Sequence, residues 1–247
     1  MIGWVRRRIR TVDPVRPTEL EVEDGLAYSL WTPPFGRPPR GGIVILHGAG
    51  SRKESHYDFA RAAIAAGFAA LAFDQRGHGD SPGQMDARVV DDVAIVADLL
   101  RSRTGAPDLP IALRGSSMGG YLAIVAAPRA QAEAVVAICP AGSEGLRRAL
   151  TAGRLELEAD VDALEQFLLA HDLSQAVVTL PAPLLLLHAE GDERVPVEQS
   201  RELAQLTTAA PSRLITVRGG HHRSVQHDPE LQAISLRWIG VALPRLG

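Results

Sequence analysis

Six short, largely apolar runs recur along the chain after Gly41, and none of them alternates between apolar and polar positions. Runs of this kind are typical of strands that are buried on both faces, as in a mostly parallel sheet covered by helices. The pattern therefore predicts six such strands, over residues 42–46, 69–73, 111–113, 134–139, 184–187 and 213–217.

Helical patterns separate these runs. Residues 86–103 place Val90, Val93, Ala97 and Leu100 on one face, as an amphipathic helix does. Alternation of strands and helices predicts a doubly wound α/β domain. An antiparallel edge is expected to precede it, formed by residues 5–12 and 26–31. The other predicted helices cover residues 57–66, 117–127, 198–206 and 229–239.

The interval between Cys139 and Leu184 breaks this rhythm, because it holds two helical patterns and no strand-like run. The helical patterns cover residues 144–152 and 158–172. Long inserts of this kind often serve as lids over active sites. We expect one domain over residues 1–247, with residues 141–180 forming a small helical cap. The alternative is an ordinary crossover helix extended by a second one.

Composition narrows the class of protein. The chain has 247 residues, of which 46% are hydrophobic, enough for a sizeable core. A net charge of −3 argues against nucleic-acid binding. No apolar run approaches the roughly 20 residues of a membrane span, and charges interrupt the N-terminus "MIGWVRRRIRTV". We expect a cytoplasmic protein that does not bind membranes, and we interpret residues 6–8 as part of an exposed strand. The sequence leaves the oligomeric state open.

One serine stands where a strand pattern meets a helix pattern, in the sequence "RGSSMGG". Gly115 and Gly119 flank Ser117 two residues away on each side, and glycine permits a turn too sharp for a Cβ atom. At a helix N-terminus, backbone N–H groups favour a developing negative charge. A serine hydroxyl is a weak nucleophile, so it needs a base with a pKa near 6.5, which indicates a histidine.

This strand, turn and helix resemble the nucleophile elbow of the α/β-hydrolase family. Four further motifs resemble that family and follow its order along the chain. "ILHGAGSRKE" (45–54) resembles its oxyanion loop, "AFDQRGHGDSPG" (72–83) its D-x-R-G-x-G-x-S turn, "LLHAEGDERVP" (186–196) its acid loop and "VRGGHH" (217–222) its histidine loop. The resemblance implies an α/β-hydrolase fold with a small helical cap, in the branch of serine esterases, lipases and aminopeptidases.

The resemblance also implies roles for particular residues. Ser117 would be the nucleophile, His222 the base and Asp192 the carboxylate that orients the imidazole. His221 is the alternative base, while Glu190 and Glu193 are interpreted as solvated loop charges. Backbone N–H groups of Ala49 and Met118 would form the oxyanion hole.

Other polar residues receive structural interpretations. Ser116 is expected to be a turn residue, Cys139 a small buried hydrophobe, and Asp74 and Arg76 braces of their loop. A zinc site of His221, His222, His227 and Asp228 is disfavoured, because neighbouring histidines point in divergent directions. We expect no metal and no cofactor.

The predicted function is that of a carboxylesterase-like hydrolase, acting on a small-molecule ester or acyl substrate. A serine at position 117, rather than aspartate or cysteine, argues against dehalogenase, epoxide-hydrolase and dienelactone-hydrolase chemistry. Alternatives are a thioesterase, an aminopeptidase with Glu144 or Glu158 holding the amine, and a binding protein that has lost catalysis. A substrate pocket for short- to medium-chain acyl groups is predicted from Leu146, Leu150, Leu164, Phe167 and Leu168.

Overall fold

The computed structural model describes residues 14–34 and 38–244. The expectations for residues 5–12 and 6–8 lie outside this range. The described chain contains an eight-stranded sheet with the order β1-β2-β4-β3-β5-β6-β7-β8. The strands are β1 (Glu19–Glu23), β2 (Leu26–Trp31), β3 (Gly42–Leu46), β4 (Ala69–Phe73), β5 (Ile111–Ser116), β6 (Ala132–Ile138), β7 (Leu184–Ala189) and β8 (Arg213–Val217). Strands β3 to β8 pair in parallel, whereas β1 and β2 are antiparallel.

Helices cover both faces of this sheet. They are a 3₁₀ helix (Lys53–His56), α1 (Tyr57–Ala65), α2 (Val89–Thr104), α3 (Met118–Ala126), α4 (Ser143–Thr151), α5 (Val161–Ala170), α6 (Leu173–Val178), α7 (Val197–Leu206), α8 (Ser224–His227) and α9 (Pro229–Ala242). Within the described residues, none of these helices has both the length and the apolar character that crossing a membrane requires. This architecture confirms the predicted α/β-hydrolase fold class.

The strands lack polar alternation because successive side chains enter two different apolar clusters. In β3, Val44 and Leu46 pack into the cluster that includes α2 and α3, while Ile43 and Ile45 pack into the cluster that includes α1 and α9. Side chains of a strand point alternately to the two faces. Both faces of β3 are therefore buried, as the sequence pattern predicts.

Several elements differ from the sequence prediction, which did not include the 3₁₀ helix or α8. Strand β1 was not predicted, and its sequence "ELEVE" is largely exposed at the sheet edge. Strand β5 continues to Ser116, beyond the predicted end at Leu113. The prediction ended before the charged Arg114, which the structure buries within the strand. The helix predicted over residues 158–172 corresponds to α5, and α6, which follows it, was not predicted, so three helices rather than two lie between β6 and β7. Asp160 and Asp172 begin these two helices by accepting hydrogen bonds from backbone N–H groups.

The topology brings the loops that carry the sequence motifs together. Residues that follow β3, β5, β7 and β8 leave the same edge of the sheet, because these strands run parallel. In open parallel sheets, ligands bind outside the carboxyl ends of the strands. The topology therefore indicates a ligand site at this edge of the sheet.

Candidate active site

Ser117 occupies a strained turn between β5 and α3. Its backbone has φ 55° and ψ −119°, which is rare for a residue with a side chain. The turn is held by hydrogen bonds from the Ser117 N–H to the carbonyl of Ile138 (2.9 Å) and from the Ala141 N–H to the carbonyl of Ser117 (3.1 Å). Strain that persists at one residue is often associated with function.

Two glycines make this turn possible. A Cβ atom at Gly115 would collide with the carbonyl oxygen of Gly119, and one at Gly119 would collide with the carbonyl oxygens of Leu46 and His47. The glycines of the G-x-S-x-G pattern are therefore required by the close approach of three backbone segments. Ser116, expected in a turn, is instead the last residue of β5.

The loop after β3 runs directly against Ser117. A Cβ atom at Gly48 would lie 3.2 Å from the Cβ of Ser117. His47 fixes this loop, because its Nδ1–H donates to the carbonyl of Gly48 (2.8 Å) and its Nε2 accepts from the Gln75 N–H (3.1 Å). The Gln75 amide also donates to the carbonyl of His47 (2.6 Å). Ala49, the expected oxyanion donor, thus follows a firmly held segment.

Met118, the other expected donor, is the first residue of α3. The first N–H groups of an α-helix have no partner within the helix. Within the described residues, no hydrogen bond to another part of the chain occupies the N–H of Ala49 or of Met118. Both N–H groups are thus available to an oxygen atom bound beside Ser117.

Asp192 lies in the loop after β7, and its side chain is 0% exposed. Its Oδ1 accepts hydrogen bonds from the N–H groups of Arg194 (2.8 Å) and Val195 (2.9 Å). Burial raises the pKa of Asp192, but the hydrogen bonds from Val195, His222 and Arg194 outweigh it and hold the pKa below its ordinary value. The carboxylate is therefore ionised at neutral pH.

The geometry distinguishes between the two candidate histidines. The Nδ1 of His222 lies 2.7 Å from Oδ2 of Asp192. His221 is exposed, and its N–H donates to the hydroxyl of Ser224 (2.9 Å). Glu193, which was expected to be a solvated charge, accepts a hydrogen bond from the N–H of His222 (3.1 Å). The structure therefore joins Asp192 to His222 and not to His221.

Ser117 and His222 line one small pocket of about 30 Å³, together with Gly48 and Ala49. We call it the nucleophile pocket. Within the described residues, no hydrogen bond connects the Ser117 hydroxyl to His222. Such contacts are often long in unliganded enzymes and shorten when substrate binds. The pocket thus brings together the serine, the histidine and the loop expected to stabilise an oxyanion.

A larger cavity of about 790 Å³ adjoins the nucleophile pocket and also includes Ser117. Helix α4 contributes Leu146 to its lining, and many of its other lining side chains are charged. Of the five apolar residues predicted to form an acyl pocket, only Leu146 lines this cavity. Leu150, Leu164, Phe167 and Leu168 are buried in the apolar cluster beside α3. Within that cluster, Leu164, Phe167 and Leu168 line a separate apolar pocket of about 10 Å³ together with Leu146 and Met118.

The remaining candidate residues have other partners. Asp74 accepts hydrogen bonds from the backbone N–H (2.7 Å) and the ammonium group (2.8 Å) of Lys53, and Arg76 donates to both carboxylate oxygens of Asp92. Glu190 accepts from Thr216 (3.1 Å). Glu158 does not line the cavity beside Ser117, although Glu144 does.

The residues of the disfavoured zinc site have separate partners. His227 contacts Asp58 (3.0 Å), and Asp228 begins α9 by accepting from backbone N–H groups. Within the described residues, one trio of potential ligand atoms lies within 4.8 Å, from Cys139, Asp192 and His222. Burial raises the pKa of the Cys139 thiol, and Asp192 and His222 are already paired with each other.

The structure adds two residues that the sequence analysis did not identify. His188 is buried next to the acid, with its Nε2 3.4 Å from Oδ2 of Asp192 and 2.9 Å from the carbonyl of Val195. Arg114, three residues before Ser117, donates to the carbonyl of Gln226 (2.9 Å). A charge inside a strand pattern was the only sequence signal for Arg114.

Comparisons with known proteins agree with this architecture. Residues 37–161, half of the chain, match the family model Hydrolase_4, described as serine aminopeptidase, S33. The monoacylglycerol lipase of Mycolicibacterium smegmatis is 27% identical over 85% of this chain and 89% of that protein. The structure of the Paleococcus ferrophilus monoacylglycerol lipase superposes with a TM-score of 0.67 at 21% identity, covering 88% of this chain and 99% of that one. Est1E from Butyrivibrio proteoclasticus superposes with a TM-score of 0.70 at 17% identity, covering 92% and 98%.

The motif order, the parallel sheet, the turn at Ser117 and the match over half of the sequence all agree. The chain belongs to the serine aminopeptidase S33 family of α/β hydrolases.

Proposed function

We propose that this protein is a serine hydrolase that cleaves carboxylic esters through an acyl-enzyme on Ser117. The observation that carries the proposal is the 2.7 Å contact between Asp192 and His222, in a pocket that His222 shares with Ser117. The Mycolicibacterium relative is a monoacylglycerol lipase, which supports an ester substrate.

In the proposed reaction, the Ser117 hydroxyl attacks the ester carbonyl while its proton passes to Nε2 of His222. Asp192 keeps the other proton on Nδ1 and stabilises the imidazolium that forms. Collapse of the tetrahedral intermediate breaks the ester bond, and His222 returns the proton to the departing alcohol. Water then attacks the acyl-enzyme with His222 again acting as base, which releases the acid and restores Ser117.

The negative oxygen of each tetrahedral intermediate would accept hydrogen bonds from the N–H groups of Ala49 and Met118. One such donor lowers the barrier by about 3 kcal/mol in comparable enzymes. The hydrogen bonds that hold His47 keep the first donor in place before substrate arrives, so the site does not have to reorganise during the reaction.

We also propose that residues 141–180 cap the site and that the acyl group occupies the larger cavity. Leu146 of α4 and Leu173 of α6 line that cavity together with Ser117, which supports a covering role for this segment. A volume of about 790 Å³ suits a short- to medium-chain ester with its alcohol.

A second candidate is amide hydrolysis of a substrate with a free amine. Glu144 and Glu156 line the larger cavity, and Glu156 packs against Gly50 of the loop after β3. Carboxylates placed there could hold an ammonium group. Aminoacyl 4-nitroanilides test this candidate directly, because their turnover would exceed that of matched esters if an amine were required.

The principal test is hydrolysis of 4-nitrophenyl esters from acetyl to dodecanoyl by the wild type and by Ser117→Ala. We expect the wild type to show a maximum at short or medium chain length and the variant to lose about 10⁴-fold in kcat. The matched control is Ser116→Ala, which removes the neighbouring hydroxyl. Full activity in a folded Ser117→Ala protein would refute the assignment.

Covalent labelling separates an enzyme from a binding protein on the same fold. A fluorophosphonate should label the wild type and Ser116→Ala at Ser117 but leave Ser117→Ala unlabelled. An unlabelled wild type would instead favour the non-catalytic alternative.

A further inference from the structure

The charged side chains beside Ser117 are positive. Arg194 and Arg223 line the nucleophile pocket together with Ser117 and His222, and no carboxylate among the described residues lines it. Both arginines also line the larger cavity that includes Ser117. They lie on two different loops, one after β7 and one after β8, which the topology brings together.

Arg194 has one long ionic contact, and Arg223 has none among the described residues. The Nε of Arg194 lies 3.9 Å from Glu193, whose other carboxylate oxygen accepts from the N–H of His222. In the described part of the chain, no carboxylate lies within 4.0 Å of the Arg223 side chain. The nearby Asp192 is completely buried and already paired with His222. Two arginines are therefore available to a bound anion.

Negative side chains occupy the larger cavity only. Four carboxylates line it, but two of them are engaged, since Glu144 pairs with Arg147 (2.9 Å) and Asp172 begins α6 by accepting from a backbone N–H. Glu156 and Glu202 are the other two. The charged side chains of the nucleophile pocket are therefore positive, whereas the rest of the larger cavity holds these four carboxylates together with Arg148 and Arg154.

We infer that the preferred ester carries a carboxylate or phosphate group close to the scissile bond, held by Arg194 and Arg223. A guanidinium group binds either anion through two parallel hydrogen bonds, which an ammonium group cannot do. The inference rests on the proposed ester hydrolysis and names the class of substrate for the same site. The anion could belong to the acyl part, as in a monoester of a dicarboxylic acid, or to the alcohol part, as in a glycerol phosphate.

The test compares pairs of esters that differ in charge only near the reacting bond. Mono-4-nitrophenyl glutarate is compared with its neutral methyl ester, and 1-butanoylglycerol 3-phosphate with 1-butanoylglycerol. The readout is the ratio of kcat/KM for the anionic ester to that for its neutral partner. We expect a ratio of about 10 for one pair, which identifies the side that carries the anion, and a decrease of the ratio as NaCl is added.

Arg194→Gln and Arg223→Gln should each lower that ratio by about threefold or more, and the double variant should bring it close to 1. Arg237→Gln is the matched control, because Arg237 is exposed on α9 and does not line either cavity. A ratio of 1 or less for both pairs in the wild type, or an unchanged ratio in the double variant, would overturn the inference. Faster turnover of a cationic aminoacyl ester would do the same.

Hydrolysis of the neutral esters distinguishes the proposed ester hydrolysis from the proposed preference for anionic esters. If Ser117 is needed for it while the ratio stays at 1, ester hydrolysis stands and the anion preference fails. If no ester is hydrolysed, calorimetric titration with glutarate tests the arginines directly. Weaker binding by the double variant than by Arg237→Gln would support the anion site, whereas equal binding would exclude it.

Discussion

At the scale of single residues, the Asp192 carboxylate has a separate partner for each oxygen. Oδ1 accepts from two backbone N–H groups, and Oδ2 contacts Nδ1 of His222. Because the backbone groups can only donate, the oxygen they hold must remain an acceptor. The atom at the Oδ2 position, which contacts His222, therefore decides which nitrogen of His222 carries the proton.

Replacing the Asp192 carboxylate with an amide should move the proton of neutral His222 from Nδ1 to Nε2. In Asp192→Asn, the amide oxygen would accept from Arg194 and Val195, and the NH₂ group would face Nδ1 of His222. His222 would then carry its proton on Nε2 and could not accept the Ser117 proton. We expect kcat for a 4-nitrophenyl ester to fall by about 10⁴-fold with little change in KM.

Glu193→Gln provides the control for this experiment. The Glu193 carboxylate also contacts His222, but it accepts a hydrogen bond from the backbone N–H of His222 and not from the ring. It should therefore lower kcat much less than Asp192→Asn. Comparable losses in the two variants would mean that Asp192 acts by holding the loop and not by setting the tautomer.

At the scale of elements, a buried arginine links β5 to α8. Arg114 is 1% exposed, lies over the ring of Phe59 and donates to the carbonyl of Gln226 in α8. Burial lowers its pKa to about 10. In the described part of the chain, no carboxylate lies within 4.0 Å of it. The strand that leads to Ser117 is thus tied to the helix that follows the His222 loop.

Arg114→Met should lower kcat without lowering the melting temperature. A buried charge without a close counter-charge is costly, so methionine is expected to leave the melting temperature unchanged or to raise it. Loss of the tie to Gln226 should loosen the His222 loop and lower kcat by about 10-fold, since small displacements of catalytic groups have large effects on rate.

Arg101→Met is the control, because Arg101 also donates to backbone carbonyls, but next to the starts of β5 and β6 and with Asp98 as an ion-pair partner. Activity and melting temperature are measured for both variants. An Arg114→Met protein that melts much earlier yet keeps its kcat would contradict the positioning role.

At the scale of the whole molecule, several histidines are buried in the neutral state. Burial, aided by nearby His78, lowers the pKa of His47 to about 4. Burial is also the main cause of the lowered pKa values of His56, His78 and His188. His47 and His78 contact each other, with ring centroids 4.8 Å apart, so their effects on stability are coupled. His188 lies beside Asp192 at the end of β7, and its effect should add to theirs.

The free energy of unfolding should therefore fall as pH decreases from about 6.5 toward 4. In that window the unfolded chain binds protons at these histidines and the folded chain does not, so acid favours unfolding. For His47 alone the loss between pH 7 and pH 5 should be about 2 kcal/mol. Urea unfolding at a series of pH values measures the slope.

His47→Gln should reduce this loss by about that amount, whatever its effect on stability at neutral pH. His221→Gln, at an exposed position, should not change the slope. Equal stability of the wild type at pH 7 and pH 5 would show that the buried histidines are not protonated on unfolding.

Prediction from sequence succeeded where the signal is local and failed where it depends on distant partners. The runs over residues 42–46, 69–73 and 213–217 match β3, β4 and β8 in both bounds. For β3 and β4 the continuous apolar run reflects burial on both faces, whereas β8 lies at the sheet edge and is only partly buried. Strand β1 was missed because its alternate glutamates leave it largely exposed at the sheet edge. The predicted acyl pocket stays a prediction: of its five residues only Leu146 lines the cavity that includes Ser117, because an apolar helix face packs on the core as readily as on a ligand.

The sequence by itself determined the α/β-hydrolase fold class and the motif order, since these depend on strand burial and on glycines at a tight turn. Only the tertiary structure decided that His222 rather than His221 meets Asp192, and that Arg194 and Arg223 flank Ser117. The physical reason is that a loop's side-chain directions follow from long-range contacts, here with β7 and β5. No periodicity along the chain records those contacts.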